Sequence, residues 1–174
     1  MIKDVELAWL AGLWDGEGSI TVFKHKEKNG TIKLCPTLLI VNCDEKIIWE
    51  AKRLLDELGT SFHIHLTESK NDRHKDRYQL NTRNCKYIKI VLEALAPYLI
   101  GKKAQAQLVL QFVDKRQDYN APGGYRRRYD DEDHQLQEVI QGMNRKGKSP
   151  EPSTTKHQTL SSDDIVYSVT KVSV

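Results

Sequence analysis

The stretch that decides the fold is Leu10-Ala11-Gly12-Leu13-Trp14-Asp15-Gly16-Glu17-Gly18, where an apolar helix runs into two acidic residues set among glycines. Small residues recur at Ala8, Ala11 and Gly12, three or four positions apart, so they form a stripe along a helix. A glycine within a helix costs about 1 kcal/mol relative to alanine, which indicates that Gly12 has a packing purpose. The pattern predicts a helix that another backbone approaches closely.

The two acids, Asp15 and Glu17, stand at the predicted end of this helix. Gly16 and Gly18 can adopt backbone angles that are closed to other residues, which suits a sharp exit from the helix. Carboxylates held at the end of a tightly packed helix can bind a metal ion. The alternative is a tight helix–strand connection whose two acids only face water.

These nine residues, followed by Ser19-Ile20, resemble the signature of the LAGLIDADG homing endonucleases without a gap. The chain departs from the consensus that names the family at Glu17, where that consensus has aspartate. Glutamate keeps the charge and adds one methylene of reach. The resemblance covers about residues 5–148 and implies an α+β fold in the order αββαββα, with a four-stranded antiparallel DNA-binding sheet.

The sequence contains one copy of the signature. One catalytic helix per chain implies that two chains supply the pair, so the resemblance predicts a homodimer. The residues expected at the dimer interface are Ala8, Ala11, Gly12 and Asp15.

Length and composition limit the possible classes of protein. A chain of 174 residues supports a domain with a real core, and we expect an endonuclease domain at 1–148 and a polar tail at 149–174, in which 164–174 could form a short strand. The sequence has neither an apolar run of about eighteen residues nor a signal-peptide pattern, so we expect no membrane partner and an intracellular location, in the cytoplasm or an organelle. Three cysteines without CxxC spacing indicate neither a disulfide framework nor a zinc site.

Changes in hydrophobic period divide the chain into strands and helices. Asn29-Gly30 lies between two alternating runs and predicts a hairpin. Residues 44–58 are amphipathic and are followed by Gly59, as is typical of a helix. The predicted strands are 19–26, 31–41, 61–68 and 76–82, the other helices are 87–95, 102–115 and 130–143, and 117–129 is a polar loop.

Alternation within the strands separates a core face from a polar face. The apolar side chains of Phe62, Ile64 and Leu66 suit a core, which leaves the intervening histidines on the other face. Arg, Gln, Asn and His read base edges in the DNA major groove, which admits a β-ribbon. An ordinary solvated face would be equally polar. The residues predicted to bind DNA from this face are Thr21, His25, Lys33, His63, His65, Arg77, Gln79 and Asn81.

A lysine in the active site is implied by the resemblance. The segment that follows Pro97 is similar to the family region that supplies this lysine, and Lys102 matches the position best, with Lys103 as the near alternative. A cation beside the scissile phosphate would stabilise the charge that develops there. A lysine at the start of a helix can also be an ordinary surface residue.

The resemblance also implies the metal site. Glu17 would bind the metal with help from the carbonyl oxygen of Gly16. Mg²⁺ suits these oxygen ligands, and Mn²⁺ or Ca²⁺ can substitute for it in binding. Asn42 matches a catalytic polar residue near the metal, with Cys43 as a second candidate. Asn42 or Asp44 can instead be a helix cap.

Taken together, the residues and the resemblance predict a homodimeric, magnesium-dependent homing endonuclease that makes double-strand breaks in a long, partly palindromic DNA target. Arg145 and Lys146, beyond the last predicted helix, are expected to contact DNA phosphates. One alternative is an RNA maturase that assists splicing of the host intron RNA. Another is a non-catalytic DNA-binding regulator of the same fold, against which Glu17 and Lys102 argue.

Overall fold

The computed structural model describes residues 2–69, 75–117 and 129–144. Two β-β-α units follow a leading helix in this part of the chain, which confirms the predicted α+β fold. None of the described helices is long and apolar enough to cross a membrane. The elements are α1 (Asp4–Glu17), β1 (Gly18–Lys26), β2 (Ile32–Asn42), α2 (Glu45–Glu57), β3 (His63–Thr67), β4 (Arg77–Thr82), α3 (Cys85–Leu95), α4 (Lys103–Gln117) and α5 (Asp131–Asn144).

Several predicted features lie outside the described residues. They are most of the polar loop at 117–129, the tail at 149–174 and the strand suggested at 164–174. The division into a domain at 1–148 and a tail therefore stays a prediction.

The four strands form one antiparallel sheet in the order β1-β2-β4-β3. β2 pairs with β1 along Ile32–Ile40 and with β4 along Leu38–Asn42, so the two hairpins join through their inner strands. Alternate side chains of the sheet, including Ile20, Ile40 and Leu80, are fully buried. The core therefore lies on one face of the sheet, beneath the helices, and the other face is left open.

One side of α1 is packed into this core. Leu10, Ala11 and Trp14 are fully buried. The indole of Trp14 meets the ring of Phe62 edge-on, with 6.1 Å between the ring centroids. Burial of each large apolar side chain stabilises the fold by about 1.5–3 kcal/mol, so these contacts fix the position of α1 on the sheet.

Gly18 lets the chain pass directly from α1 into β1. Its φ of −84° and ψ of 163° are ordinary extended values, so the prediction of a glycine-only conformation at this position is wrong. A Cβ atom at Gly18 would lie 2.2 Å from Cδ1 and 2.8 Å from Cα of Trp14. Glycine is needed because the Trp14 side chain already fills the space.

The outer edge of β1 is covered by α5. Val22 pairs with Pro36, which has no N–H, so this is a non-hydrogen-bonded pair and the carbonyl group of Val22 points to the free edge. Nε2 of Gln137 donates to this carbonyl at 3.3 Å. Nδ2 of Asn144 donates to the carbonyl of Ile20 at 3.1 Å. Helix α5 thus satisfies acceptors that an edge strand would otherwise expose.

At the opposite edge, one prediction about the core is wrong. Leu66 alternates correctly with its neighbours but is 41% exposed. It lies near the end of β3, the outermost strand, where fewer elements are available to cover it.

Substituting Gly18 by alanine tests the contact with Trp14. We expect Gly18→Ala to lower the free energy of unfolding by about 1–3 kcal/mol, because the added methyl group overpacks the core. Urea unfolding followed by tryptophan fluorescence measures the change. The matched control is Gly16→Ala, where a Cβ meets nothing within 4 Å, and its stability should equal or exceed that of the wild type. Equal stabilities of the two variants would contradict the steric explanation.

Candidate active site and nucleic-acid interface

The carboxylate of Asp15 ties the end of α1 to the start of α4. Its Oδ2 accepts hydrogen bonds from the backbone N–H groups of Ile100 at 2.8 Å and Gly101 at 3.1 Å. Its Oδ1 accepts a hydrogen bond from the N–H of Lys102 at 2.9 Å. Because α4 begins at Lys103, the carboxylate also lies where the helix dipole of α4 favours a negative charge.

Lys102 returns a hydrogen bond to α1. Its Nζ donates to the backbone carbonyl oxygen of Asp15, in the last turn of the helix. A cation is favoured there because the carbonyl groups at a helix C-terminus carry partial negative charge. The structure therefore places Lys102 beside the end of α1, whereas Lys103 is an exposed residue at the first position of α4.

These contacts set the charge state of Asp15. Burial alone would raise the pKa of its carboxyl group, but three backbone N–H groups and the positive charge of Lys102 outweigh burial and hold the pKa below its usual value. Asp15 is therefore ionised at neutral pH and engaged within its own chain. Its place at a dimer interface stays a prediction.

Glu17 and Gly16 supply oxygen atoms at the exposed end of α1. Both residues are exposed, and the last carbonyl groups of a helix have no partner within the helix. Mg²⁺ binds oxygen ligands through one or two carboxylates and keeps several waters, so this donor set fits the ion. Among the described residues there is no cluster of three or more His, Cys, Asp or Glu side chains that could hold a metal.

Asn42 shapes the connection from β2 to α2. Its Oδ1 accepts the N–H of Asp44 at 2.8 Å, and Oδ1 of Asp44 accepts the N–H of Lys46 at 2.9 Å as the cap of α2. The capping alternative for Asp44 is thus observed. The β1–β2 register puts Asn42 and the exposed Cys43 at the end of the sheet where α1 meets β1. The catalytic role of Asn42 stays a prediction.

The eight side chains predicted to bind DNA from the sheet share its open face. The register pairs His25 with Lys33 in the first hairpin, and His65 with Gln79 in the second. The pairing of Leu39 with Asn81 links the faces of the two hairpins. The polar face that alternation predicts therefore includes Thr21, His25, Lys33, His63, His65, Arg77, Gln79 and Asn81.

Two positions on this face differ from the predicted pattern. Thr21 is only 3% exposed, and its cross-strand partner Thr37 is 4% exposed, so Thr21 offers little surface to a ligand. Phe23 is 44% exposed on the same face. A search for polar residues misses Phe23, although alternation with Thr21 and His25 identifies the face on which it lies.

The outward side of α1 is apolar and open. Val5 is 71% exposed and Trp9 is 41% exposed, with Ala8 and Gly12 exposed on the same side. The prediction that Ala11 shares this surface is corrected, because Ala11 is fully buried among the side chains of the core. The two predicted phosphate contacts, Arg145 and Lys146, lie outside the described residues.

The comparisons with known proteins agree with this geometry. Residues 4–95 match the family model described as a LAGLIDADG-like domain. The chain belongs to the LAGLIDADG family, and its fold is that of the LAGLIDADG homing endonucleases. No curated protein matches the sequence.

Solved structures share the fold at low sequence identity. A structure of the homing endonuclease I-CvuI in complex with the I-CreI target in the presence of 2 mM Mg has a TM-score of 0.63 and 22% identity, over 84% of this chain and 86% of that one. The archaeal intron-encoded homing endonuclease I-Vdi141I complexed with DNA has a TM-score of 0.51 and 16% identity, over 81% and 98%. The meganuclease I-SmaMI bound to uncleavable DNA has a TM-score of 0.57 and 20% identity, over 86% of this chain and 46% of that one.

Removing the charge of Asp15 tests its contacts with α4. We expect Asp15→Asn to destabilise the protein by about 1–3 kcal/mol at pH 7, because hydrogen bonds to a charged acceptor are weakened. Since folding lowers the pKa of Asp15, its contribution is complete above the unfolded value of about 3.9 and is lost as the pH falls through the folded pKa. The difference between the free energies of unfolding of the wild type and the variant, measured in urea, should therefore become smaller below about pH 4.

The control for this measurement is Asp56→Asn. Asp56 pairs with Lys52 on the exposed side of α2, and such a surface pair contributes only about 0–1 kcal/mol. If the destabilisation by Asp15→Asn did not change with pH, the charge of Asp15 would not be what fixes the start of α4.

Proposed function

We propose that two copies of this chain form a magnesium-dependent homing endonuclease that cuts both strands of a long, partly palindromic DNA site. The observation that carries the proposal is the reciprocal contact between Asp15 and Lys102, because it places a lysine beside the helix end that presents Glu17. Both groups lie at one end of a sheet whose open face carries the polar side chains His25, Lys33, His63, His65, Arg77, Gln79 and Asn81. This arrangement joins hydrolytic groups to a surface that can read DNA.

The apolar side of α1 supports a two-fold dimer. Val5 and Trp9 expose much of their surface although they lie on the helix that also packs into the core. An isologous contact between two copies would remove this apolar surface from water, and Gly12 would let the two backbones approach. The axis would bring Glu17 of each chain close to its mate, so that each chain serves one DNA strand.

Hydrolysis of a phosphodiester needs a positioned water and stabilisation of the charge that develops on the phosphate and the leaving oxygen. Glu17 and the carbonyl oxygen of Gly16 would hold magnesium, which when bound supplies a Lewis acid at the phosphate. Lys102, beside the end of α1, would direct its positive charge at the phosphate. The contact with Asp15 fixes this lysine before DNA arrives, which reduces the reorganisation needed for reaction.

We assign recognition of the DNA target sequence to the open face of the sheet. Arg77, Gln79 and Asn81 carry the donor and acceptor groups that pair with base edges in the major groove. The solved relatives I-CvuI, I-Vdi141I and I-SmaMI are described as complexes with DNA. In a two-fold dimer, the two faces would read half-sites related by the same axis, which accounts for a partly palindromic target.

Substituting Glu17 tests the metal ligand. We expect Glu17→Gln to abolish magnesium-dependent cleavage, because the amide is a neutral and weaker ligand, while DNA binding measured by gel shift is retained or strengthened. The control is Glu93→Gln, an exposed residue of α3 whose pair with Lys89 is a surface contact at 3.7 Å. Cleavage by Glu17→Gln within a few-fold of the wild type would remove Glu17 from the mechanism.

Substituting Gly12 tests the dimer. A Cβ at Gly12 meets nothing within 4 Å in the isolated chain, so Gly12→Val should preserve the fold of a single chain. We expect it to weaken dimerisation by a few kcal/mol through overpacking between the two helices, as measured by sedimentation over a range of concentrations. Gly142→Val is the matched control, because Gly142 is an exposed helical glycine with equally open surroundings on α5. An intact, active Gly12→Val dimer would contradict this interface.

A further inference from the structure

Phe23 is exposed on the open face of the sheet, where its ring adds nothing to the hydrophobic core. On the opposite face of β1, Val22 is fully buried in the core and Lys24 donates to Glu138 of α5 at 3.1 Å. Phe23 therefore points away from the core and the helices, together with His25. It keeps 44% of its surface exposed on the face that carries the polar side chains predicted to bind DNA.

The residues around Phe23 leave it as the most prominent group in this part of the face. Its cross-strand partner Cys35 is half-buried, and the next residues on either strand, Thr21 and Thr37, are 3% and 4% exposed. The hydroxyl of Thr37 donates to the carbonyl of Cys35, within its own strand. This section of the face thus presents a hydrocarbon ring rather than hydrogen-bonding groups.

Polar side chains flank this apolar section along the sheet. His25 and Lys33 form a pair on one side, and the polar groups of the second hairpin, such as Asn81 and His63, lie on the other. The apolar section is therefore enclosed by the proposed DNA-reading surface. A partner that covers both polar flanks also covers Phe23.

We propose that Phe23 determines specificity by contacting the 5-methyl group of one thymine in each half-site. This inference rests on the proposed function, because it requires the open face to lie in the major groove. On the base edges of that groove the thymine methyl is the apolar group, and phenylalanine is one of the side chains that contact it. Burial of the ring against the methyl removes apolar surface of both partners from water.

The sheet geometry also predicts where this thymine lies. A strand rises about 3.3 Å per residue, and base pairs are spaced about 3.4 Å apart along the DNA axis. If β1 follows the groove, two residues of strand correspond to about two base pairs. The thymine should therefore lie about two base pairs nearer the centre of the site than the position read by His25 and Lys33.

The test begins with selection of bound or cleaved sequences from a randomised DNA library by the full-length wild type, Phe23→Ala and His25→Ala. We expect the wild type to prefer thymine at one symmetric position that Phe23→Ala no longer distinguishes. The control His25→Ala should change a position about two base pairs further from the centre and keep this thymine preference. Retention of every thymine preference by Phe23→Ala would overturn the assignment.

A change in the DNA alone gives the second measurement. Replacing that thymine by deoxyuridine removes only the methyl group, and wild-type affinity should fall about fourfold per half-site, the equivalent of one buried methyl group. Phe23→Ala should bind the two duplexes equally. In a duplex with cytosine at this position, replacing it by 5-methylcytosine should raise the affinity of the wild type by a similar factor. The affinity of Phe23→Ala should not change.

The outcomes separate the two levels of the proposal. Selective cleavage by a wild type that binds thymine and deoxyuridine duplexes equally would overturn the role of Phe23 and leave the endonuclease standing. Failure of the wild type to select any DNA sequence would overturn the proposed function and this inference with it.

Discussion

The carboxylate of Asp15 is the interaction on which the rest of the arrangement depends. It accepts hydrogen bonds from the three successive N–H groups of Ile100 to Lys102. The ammonium group of Lys102 in turn donates to the carbonyl oxygen of the same aspartate. Two helices that are distant in the sequence are thereby fixed end to end. Because opposite charges lie at both helix ends, each bond is strengthened by a helix dipole. These contacts also fix the position of the exposed Glu17, which follows Asp15 by two residues at the end of α1.

Helix α1 serves both the fold and the proposed assembly because its two sides differ. The inner side, with Leu10 and Trp14, fixes the helix to the core. The indole of Trp14 leaves no space for a side chain at Gly18, so the chain turns at once into the first strand. The outer side keeps Val5 and Trp9 exposed. A dimer built on this side would place two copies of the same helix end on one axis.

The sequence predicts most of the architecture because periodicity is a local property. Alternation in the strands correctly separates the core from the polar face, and Asn29-Gly30 correctly marks the first hairpin. The stripe of small residues along α1 does not by itself show which of them are buried. Ala11 and Gly12 are about 100° apart on a helix, so both fit a small-residue stripe, and only the packing of the core shows that Ala11 is on the buried side.

The remaining features depend on contacts that local patterns do not contain. The partners of Asp15 lie 85 or more residues along the chain, and the steric reason for Gly18 depends on the rotamer of Trp14. Phe23 escapes a search for polar residues, although its place in the alternation is clear. A site that combines residues from separate elements becomes visible only when the fold brings the elements together.

The most direct test of the central claim is cleavage by a mixed dimer of one wild-type chain and one Glu17→Gln chain. The two chains would carry different affinity tags, and the mixed species would act on a supercoiled plasmid with a single target. If each chain supplies the carboxylate for one strand, the product is nicked circular DNA with linear DNA at background. Linear DNA formed at the wild-type rate would contradict the account, because one Glu17 would then suffice for both strands.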